Sequence, residues 1–407
     1  MEVKGILHFV GGKGLTSCAA PYMLISTYTT ACEVREMPRL SEATAPQQTI
    51  EFVVSVPLDL MNAMYFTHLA GERDEIDGWP AQVRTEMAPD LLAELDFLYT
   101  FPKGQPGVMG AFGDNLFAHP ETWKDTSSLL SYLRELPAGA GEGEGDRGIQ
   151  GLAFYQVCSF FDADEEPAAA GSPRDVLVQE LEKGDIDVRA ALAVYDHPEE
   201  LRERMIRLIE RFYEAHYRHD LGRRMACLER SVAAHRGQPG GDVNELARRL
   251  TGRPKSCLDE VCLGPYDALI FAPSLDMGPY FSCASIGRTH GLVYPCEEGF
   301  IGEAPAETEG MRRLARIHKA LSDEQRLRIL GLLRQGEMYA QEIVERTGLH
   351  QSAVSRHLGL MKAVGLVDGR RDGNMKFFSV NPAMRDELSK TLELFAHAPT
   401  AAERQEG

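Results

Sequence analysis

A chain of 407 residues exceeds the size at which single hydrophobic cores stop growing, so at least two domains are expected. Its 43% hydrophobic and 26% charged residues argue against disordered or fibrous classes. No apolar run reaches the ~18 to 20 residues that a bilayer requires, which argues against an integral membrane protein.

The net charge of −18 conflicts at first sight with nucleic-acid binding, because duplex affinity rests on Lys and Arg neutralising phosphates. The charge is unevenly placed, however. From residue 311 onward there are 16 Lys and Arg against 12 Asp and Glu, a net of +4, which leaves 27 against 49, a net of −22, in front. DNA would repel the acidic part and attract the tail. Cysteines at 18, 32, 158, 227, 257, 262, 283 and 296 lack the tight spacing of a disulfide-stapled secreted domain, which fits a reducing cytoplasm.

Residues 1 to 49 show no period and stay unassigned. Leu15-Thr16-Ser17-Cys18 has the outline of a lipoprotein cleavage box, but Gly11, Gly12, Lys13 and Gly14 interrupt the apolar run a leader needs. From Ile50 the apolar spacing turns helical through Pro57 to Ala70, Trp79 to Phe101 and Ser127 to Leu136. Pro137 to Gly151 and Asp162 to Pro173 read as exposed loops rich in Gly, Ala and acidic residues. A long amphipathic helix follows, with Leu201, Met205, Leu208, Ile209 and Phe212 three and four apart.

After Gly237 to Gly241 and a short helix at Val243 to Leu250, the runs Ala268 to Ala272, Tyr280 to Ile286 and Gly291 to Tyr294 have strand character. The predicted class is therefore mainly α with some β: a helical α+β sensor or oligomerisation domain over 50–300, a linker over 301–310, a winged helix-turn-helix over 311–398 and a disordered tail over 399–407.

In the last of these domains, Ser322 precedes Asp323-Glu324 as a helix N-cap would, and Leu327, Leu330 and Leu333 supply a buried stripe before Gly336 stops the helix. A second helix over Tyr339 to Thr347 ends at Gly348, and a third begins after His350. In that third helix Val354, Leu358, Met361 and Gly365 fall on one core-facing stripe, while Ser352 and Arg356 point away, Ser355 flanks them and Gln351 opens the helix. Arg and Gln are the side chains that read guanine and adenine edges, so Gln351, Ser352, Ser355 and Arg356 are the expected base readers. Leu366 to Val380 reads as a two-stranded hairpin with an Asp-Gly turn, where Arg370, Arg371 and Lys376 would grip phosphates or enter the minor groove.

The order Leu314 to Leu321, Ser322-Asp323-Glu324-Gln325-Arg326-Leu327-Arg328-Ile329-Leu330, Ser352-Ala353-Val354-Ser355-Arg356-His357-Leu358 and Ala363-Val364-Gly365-Leu366-Val367 resembles the ArsR family of bacterial regulators. That resemblance implies a homodimeric transcription factor acting as a repressor on double-stranded DNA targets, with Arg312 to Ala320 and Ala383 to His397 in the dimer contact. Met338-Tyr339-Ala340 stands where arsenic-sensing members carry Cys-Val-Cys, and Asp386 and His397 lack the partners of a terminal-helix zinc site. His350 and Gly359 are weaker at their positions than the usual residues, each costing up to ~1 kcal/mol.

The acidic region in front is expected to sense an unidentified small-molecule effector. It contains no Gly-x-Gly-x-x-Gly after a strand, Walker loop, His-Glu-x-x-His or Gly-x-Ser-x-Gly, so no catalytic residue or cofactor is predicted. Two rival readings are a metal- or redox-responsive enzyme with an accessory winged helix, and an interaction module that never meets DNA. Cys257, Cys262, Cys283, His290 and Cys296 could form a metal or redox site, but Cys-x4-Cys is loose for zinc and buried cysteine is ordinary core. His290 with Pro295-Cys296 lacks the second Cys of a zinc deaminase, where Gly299 stands. Trp79, Trp123, Phe112 and Phe117 would line an apolar pocket or serve as plain core.

Overall fold

The computed structural model describes residues 49–73, 76, 78–100, 107–139, 141–143, 146–158, 174–175, 178, 188–236, 243–251, 267–286, 288–296, 306–372, 375–386 and 388–389. The unassigned segment before residue 49, the loop 162–173, the break 237–241, Cys257, Cys262, most of the helix 383–397 and the tail 399–407 lie outside them. Among the described residues the fold is mainly helical, with small sheets of four, two and three strands. Two compact units divide the chain, the second taking up residues 303–407.

In the first unit, helix α1 (Val56–Leu69) is buried on nearly every side, as a helix that is apolar all round must be. Ser55 caps it, its hydroxyl accepting from the Leu58 N–H at 3.2 Å. The stretch expected as one helix from Trp79 is two, α2 (Trp79–Glu86) and α3 (Pro89–Thr100). Met87 is extended between them, and Pro89 disfavours helical backbone at the residue before it while fitting the first turn of the next helix. Helices α4 (Val108–Asn115) and α5 (Thr126–Glu135) follow, the latter capped by Asp125. The expected loop at 137–151 contains a small antiparallel pair, β2 (Gly141–Gly143) and β3 (Asp146–Arg147), and the start of α6 (Ile149–Cys158).

Helices α7 (Val188–Tyr195) and α8 (Pro198–Phe212) lead into a π-helical turn at Tyr213–Tyr217 and a 3-10 turn at Arg218–Asp220, before α9 (Leu221–His235) and α10 (Val243–Thr251). The four-stranded sheet has the order β1 (Thr49–Phe52), β4 (Ala268–Ser274), β6 (Thr289–Pro295), β5 (Ser282–Ile286). Strand β1 was absent from the sequence expectation. It runs parallel to β4, Phe52 facing Phe271, and β4 runs parallel to β6, with β5 antiparallel at the other edge. Helix α10 covers a core of Leu269, Phe271, Phe281, Cys283, Leu292 and Tyr294 with Ala247 and Leu250. Gly291 is required there, since a Cβ would come within 2.2 Å of the Phe117 ring.

A buried charged network joins these parts. Asp59 of α1 accepts from Tyr217 Oη (2.6 Å), Ser274 Oγ (2.7 Å), Leu275 N (2.9 Å) and Arg224 Nη1 (3.0 Å). Arg224 also reaches Asp276 at 2.5 Å and Asp220 at 3.2 Å, and its guanidinium lies 4.1 Å from the Trp79 ring centroid and 4.9 Å from that of Tyr217. Both Arg224 and Asp59 have 0% side-chain exposure. Burial pushes the Asp276 carboxyl up against the pull of Arg224, with Asp59 adding to the rise. Asp276 also holds a left-handed backbone at φ 62°.

The aromatic residues expected around a pocket are spread over separate contacts. Trp79 packs on Arg224, Phe112 stacks on Tyr132 (6.3 Å), Phe117 meets Gly291, and Trp123 Nε1 donates to Leu116 O at 2.8 Å. Cys283 sits in the sheet core, whereas Cys296 packs with Cys227, Leu228 and Leu275. Burial pushes the Cys296 thiol far up and lowers His290, so neither is poised as an anionic or protonated group. Among the described residues no group of three or more His, Cys, Asp or Glu could hold a metal ion, and no helix is long and apolar enough to cross a membrane.

Asp96 of α3 supplies a pH test. Burial works to raise its carboxyl, but hydrogen bonds from Arg84 (2.8 Å to each oxygen) and His68 (2.8 Å), with their charges, hold it at about 2 against an ordinary 3.8. A depressed folded-state value stabilises above the unfolded value and is lost as pH falls through the folded one. Acid titration of the thermal midpoint should therefore show wild type losing stability between about pH 4 and about pH 2 more steeply than Asp96→Asn. Parallel curves in that window count against the assignment.

Candidate nucleic-acid interface

The second unit begins with α11 (Ala306–Leu321), so the expected linker is helical from Ala306 onward. Helix α12 (Glu324–Leu333) is capped by Asp323 in place of the expected Ser322. The Asp323 carboxylate accepts from the Arg326 N–H at 2.9 Å, while the Ser322 hydroxyl donates to Lys319 O. Burial would raise Asp323, yet the Arg326 N–H and the charges of Arg326 and His357 hold it low. The buried stripe of α12 is Ile329 and Leu333; Leu327, expected inside, is 51% exposed.

Helix α13 (Ala340–Thr347) ends at Gly348, whose left-handed backbone (φ 70°, ψ 9°) returns its N–H to Val344 O at 2.9 Å. The turn then opens α14 (Gln351–Ala363) from His350, which makes no side-chain cap bond. Val354, Leu358 and Met361 are fully buried. Gly365 does not extend that stripe. It stops the helix at φ 82°, with its own N–H on Lys362 O and the Leu366 N–H on Met361 O, the double closure of a Schellman motif.

Beyond it, β8 (Val367–Asp372) and β9 (Met375–Val380) form the expected hairpin, with Arg371 opposite Lys376 and Arg370 opposite Phe377. A third strand, β7 (Met338–Tyr339), pairs with β9 through Met338–Phe378 and Tyr339–Phe377, although Tyr339 was expected to open the helix. Buried Asn381 fastens the base of the hairpin, donating through Nδ2 to Gly365 O (3.0 Å) and accepting the Ala383 N–H (3.0 Å). No pattern in the sequence marked Asn381 out, because its role depends on strand and helix ends meeting.

The expected base readers divide. Gln351 and Arg356 are exposed on α14, and Ser352 lies in its first turn. Ser355 is only 4% exposed and turns inward, which removes it from a base-reading set: at 100° per residue it lies near the edge of the core stripe, and neighbouring chain covers that edge. Lys376 is half-buried on β9 and Arg371 lies on β8. Arg370 is exposed but engaged, its guanidinium forked on Glu337 at 2.6 to 3.0 Å and 4.6 Å from the Phe377 centroid. Glu337, just before β7, was missed by sequence reasoning, since only the third strand brings it to the hairpin.

Comparison with known proteins places this geometry. The profile of the family described as "Bacterial regulatory protein, arsR family" matches residues 323–368. The chain is 35% identical over 83 residues to the arsenical resistance operon repressor of Staphylococcus aureus, covering 20% of this chain and 80% of that protein. It is 34% identical over 79 residues to the HTH-type transcriptional regulator Rv0324 of Mycobacterium tuberculosis, covering 19% of this chain but only 35% of that one. Among solved structures, the homodimeric winged helix-turn-helix DNA-binding domain Mb0332 of Mycobacterium bovis is 30% identical, covering 24% of this chain and 93% of that one at a TM-score of 0.20. Through this C-terminal unit, the chain belongs to the ArsR family of bacterial regulatory proteins.

Proposed function

We propose that the protein is a cytoplasmic, homodimeric transcriptional regulator that binds double-stranded DNA and acts as a repressor. Helix α14 enters the major groove, Gln351, Ser352 and Arg356 read base edges, and the β8–β9 hairpin grips the backbone through Arg371 and Lys376. The observation that carries this reading is the ladder that sets Arg371 directly opposite Lys376, beside a helix with an exposed Gln351 and Arg356. Basic residues at paired positions of a hairpin ladder suit phosphate, which adds affinity without reading sequence. The first unit is assigned to effector sensing and oligomerisation, with no catalytic step, since control follows when a small molecule favours one DNA-binding state.

The test is a genome-wide selection of duplex fragments by the purified full chain at near-physiological salt, repeated with Arg356→Ala/Arg371→Ala. An enriched inverted repeat that the double variant loses is expected. Absence of any enrichment, with no salt-dependent duplex affinity, refutes the reading in favour of an interaction module.

A further inference from the structure

The pairing of Arg370 with Glu337 changes what the hairpin can offer to DNA. The two side chains are 52% and 32% exposed, and exposed ion pairs contribute little to folding stability, so the fold does not depend on this contact. Its geometry is nonetheless well defined. Arg370 Nε lies 2.8 and 3.0 Å from the two Glu337 oxygens and Nη2 lies 2.6 Å from Oε2, with the guanidinium resting over Phe377. A planar guanidinium forked by two carboxylate oxygens presents to them the same face that it would use for two phosphate oxygens. Both partners are held there by backbone: Arg370 faces Phe377 across β8 and β9, and the β7–β9 pairing at Met338–Phe378 brings the preceding Glu337 alongside.

We infer that Glu337 is an internal stand-in for phosphate that keeps Arg370 off the DNA backbone, so that Glu337 sets how much sequence-independent affinity the hairpin supplies. This rests on the DNA-binding reading above and refines its phosphate contacts. Of the three basic residues expected there, Arg370 is already neutralised within the protein. Less non-specific affinity at an unchanged base-reading helix means a larger ratio of specific to random binding, which is the quantity that matters in a genome full of competing sites. Glu337 is therefore a specificity-determining residue that touches no base.

The experiment measures affinity of the full chain for a random-sequence duplex across a salt series, for wild type, Glu337→Gln, Arg370→Ala and the double variant. Each phosphate contact adds about 0.9 to the slope of log affinity against log salt, or about 3.5-fold between 50 and 200 mM. Glu337→Gln should bind random duplex more tightly at low salt, with a slope steeper by about 0.9. Arg370→Ala alone should leave the slope unchanged, and Glu337→Gln should no longer steepen it once Arg370 is gone. Matching thermal midpoints would confirm that the variants fold. If Glu337→Gln leaves the slope unchanged or makes it shallower, or if Arg370→Ala makes it shallower, Glu337 does not mask Arg370 and the inference falls. A wild type without salt-dependent affinity for any duplex instead removes the DNA-binding reading, and the inference with it.

Discussion

Arg224→Ala should destabilise the first unit by about 3 to 5 kcal/mol, the cost of leaving a buried charge without its partner. In wild type the guanidinium is fully buried and answers Asp59, Asp220 and Asp276, while Trp79 and Tyr217 cover it. Alanine leaves those carboxylates facing one another, with Asp59 at 0% exposure. It also opens a cavity beside Trp79. Domains are commonly stable by only ~5 to 15 kcal/mol, so a loss of this size takes up much of the margin. The chain has two tryptophans, Trp79 and Trp123, and both lie in the first unit, so urea unfolding followed by tryptophan fluorescence reports on that unit. A clear fall in the midpoint is expected, with Arg224→Lys between alanine and wild type because it keeps a charge but loses the fork. An alanine variant that unfolds with wild type would show that the network carries no net stability.

Arg356→Ala should lower affinity for the selected operator by ~1 to 3 kcal/mol and relax one base position, while leaving affinity for random duplex nearly intact. The side chain is exposed on α14, on the side away from Val354, Leu358 and Met361, so its removal leaves that buried stripe in place. A loss confined to specific sequence is what a base contact gives, because base edges carry the information and phosphates do not. Lys376→Ala provides the contrast: it should weaken operator and random duplex alike and reduce the salt slope by about one. Titrating each variant against operator and scrambled duplexes checks both. Equal losses on the two duplexes for Arg356→Ala would make it a backbone contact and move the reading surface elsewhere on the unit.

Most of the DNA-binding unit was legible because its signals are local. A glycine after Thr347 needs only its own left-handed backbone to end α13, and Val354, Leu358 and Met361 show their common side through helical period alone. What could not be read depends on distant partners. Strand β7 has two residues and β1 has four, too short for a period, and each exists because another strand lies beside it. The inward turn of Ser355, the exposure of Leu327 and the capture of Arg370 by Glu337 follow from which elements pack there, which residue identity does not encode. Likewise, one bond of the Asp59 network, to Leu275, spans 216 positions, and a lone Asp within an apolar helix reads only as an exception to its stripe.

The parallel pairing of β1 with β4 also imposes a timetable on synthesis. Thr49 bonds to Asp267, 218 positions later. At ~5 to 20 residues per second, β1 leaves the ribosome roughly 10 to 40 s before its neighbour exists. Through that interval a strand carrying an exposed Ile50 has no edge to join, and long-range parallel pairing is slow even once both strands are available. The nascent first unit thus spends that interval with an unpaired strand, a state open to aggregation. Destabilising changes in the Asp59–Arg224 network should then show first as reduced yield of full-length chain.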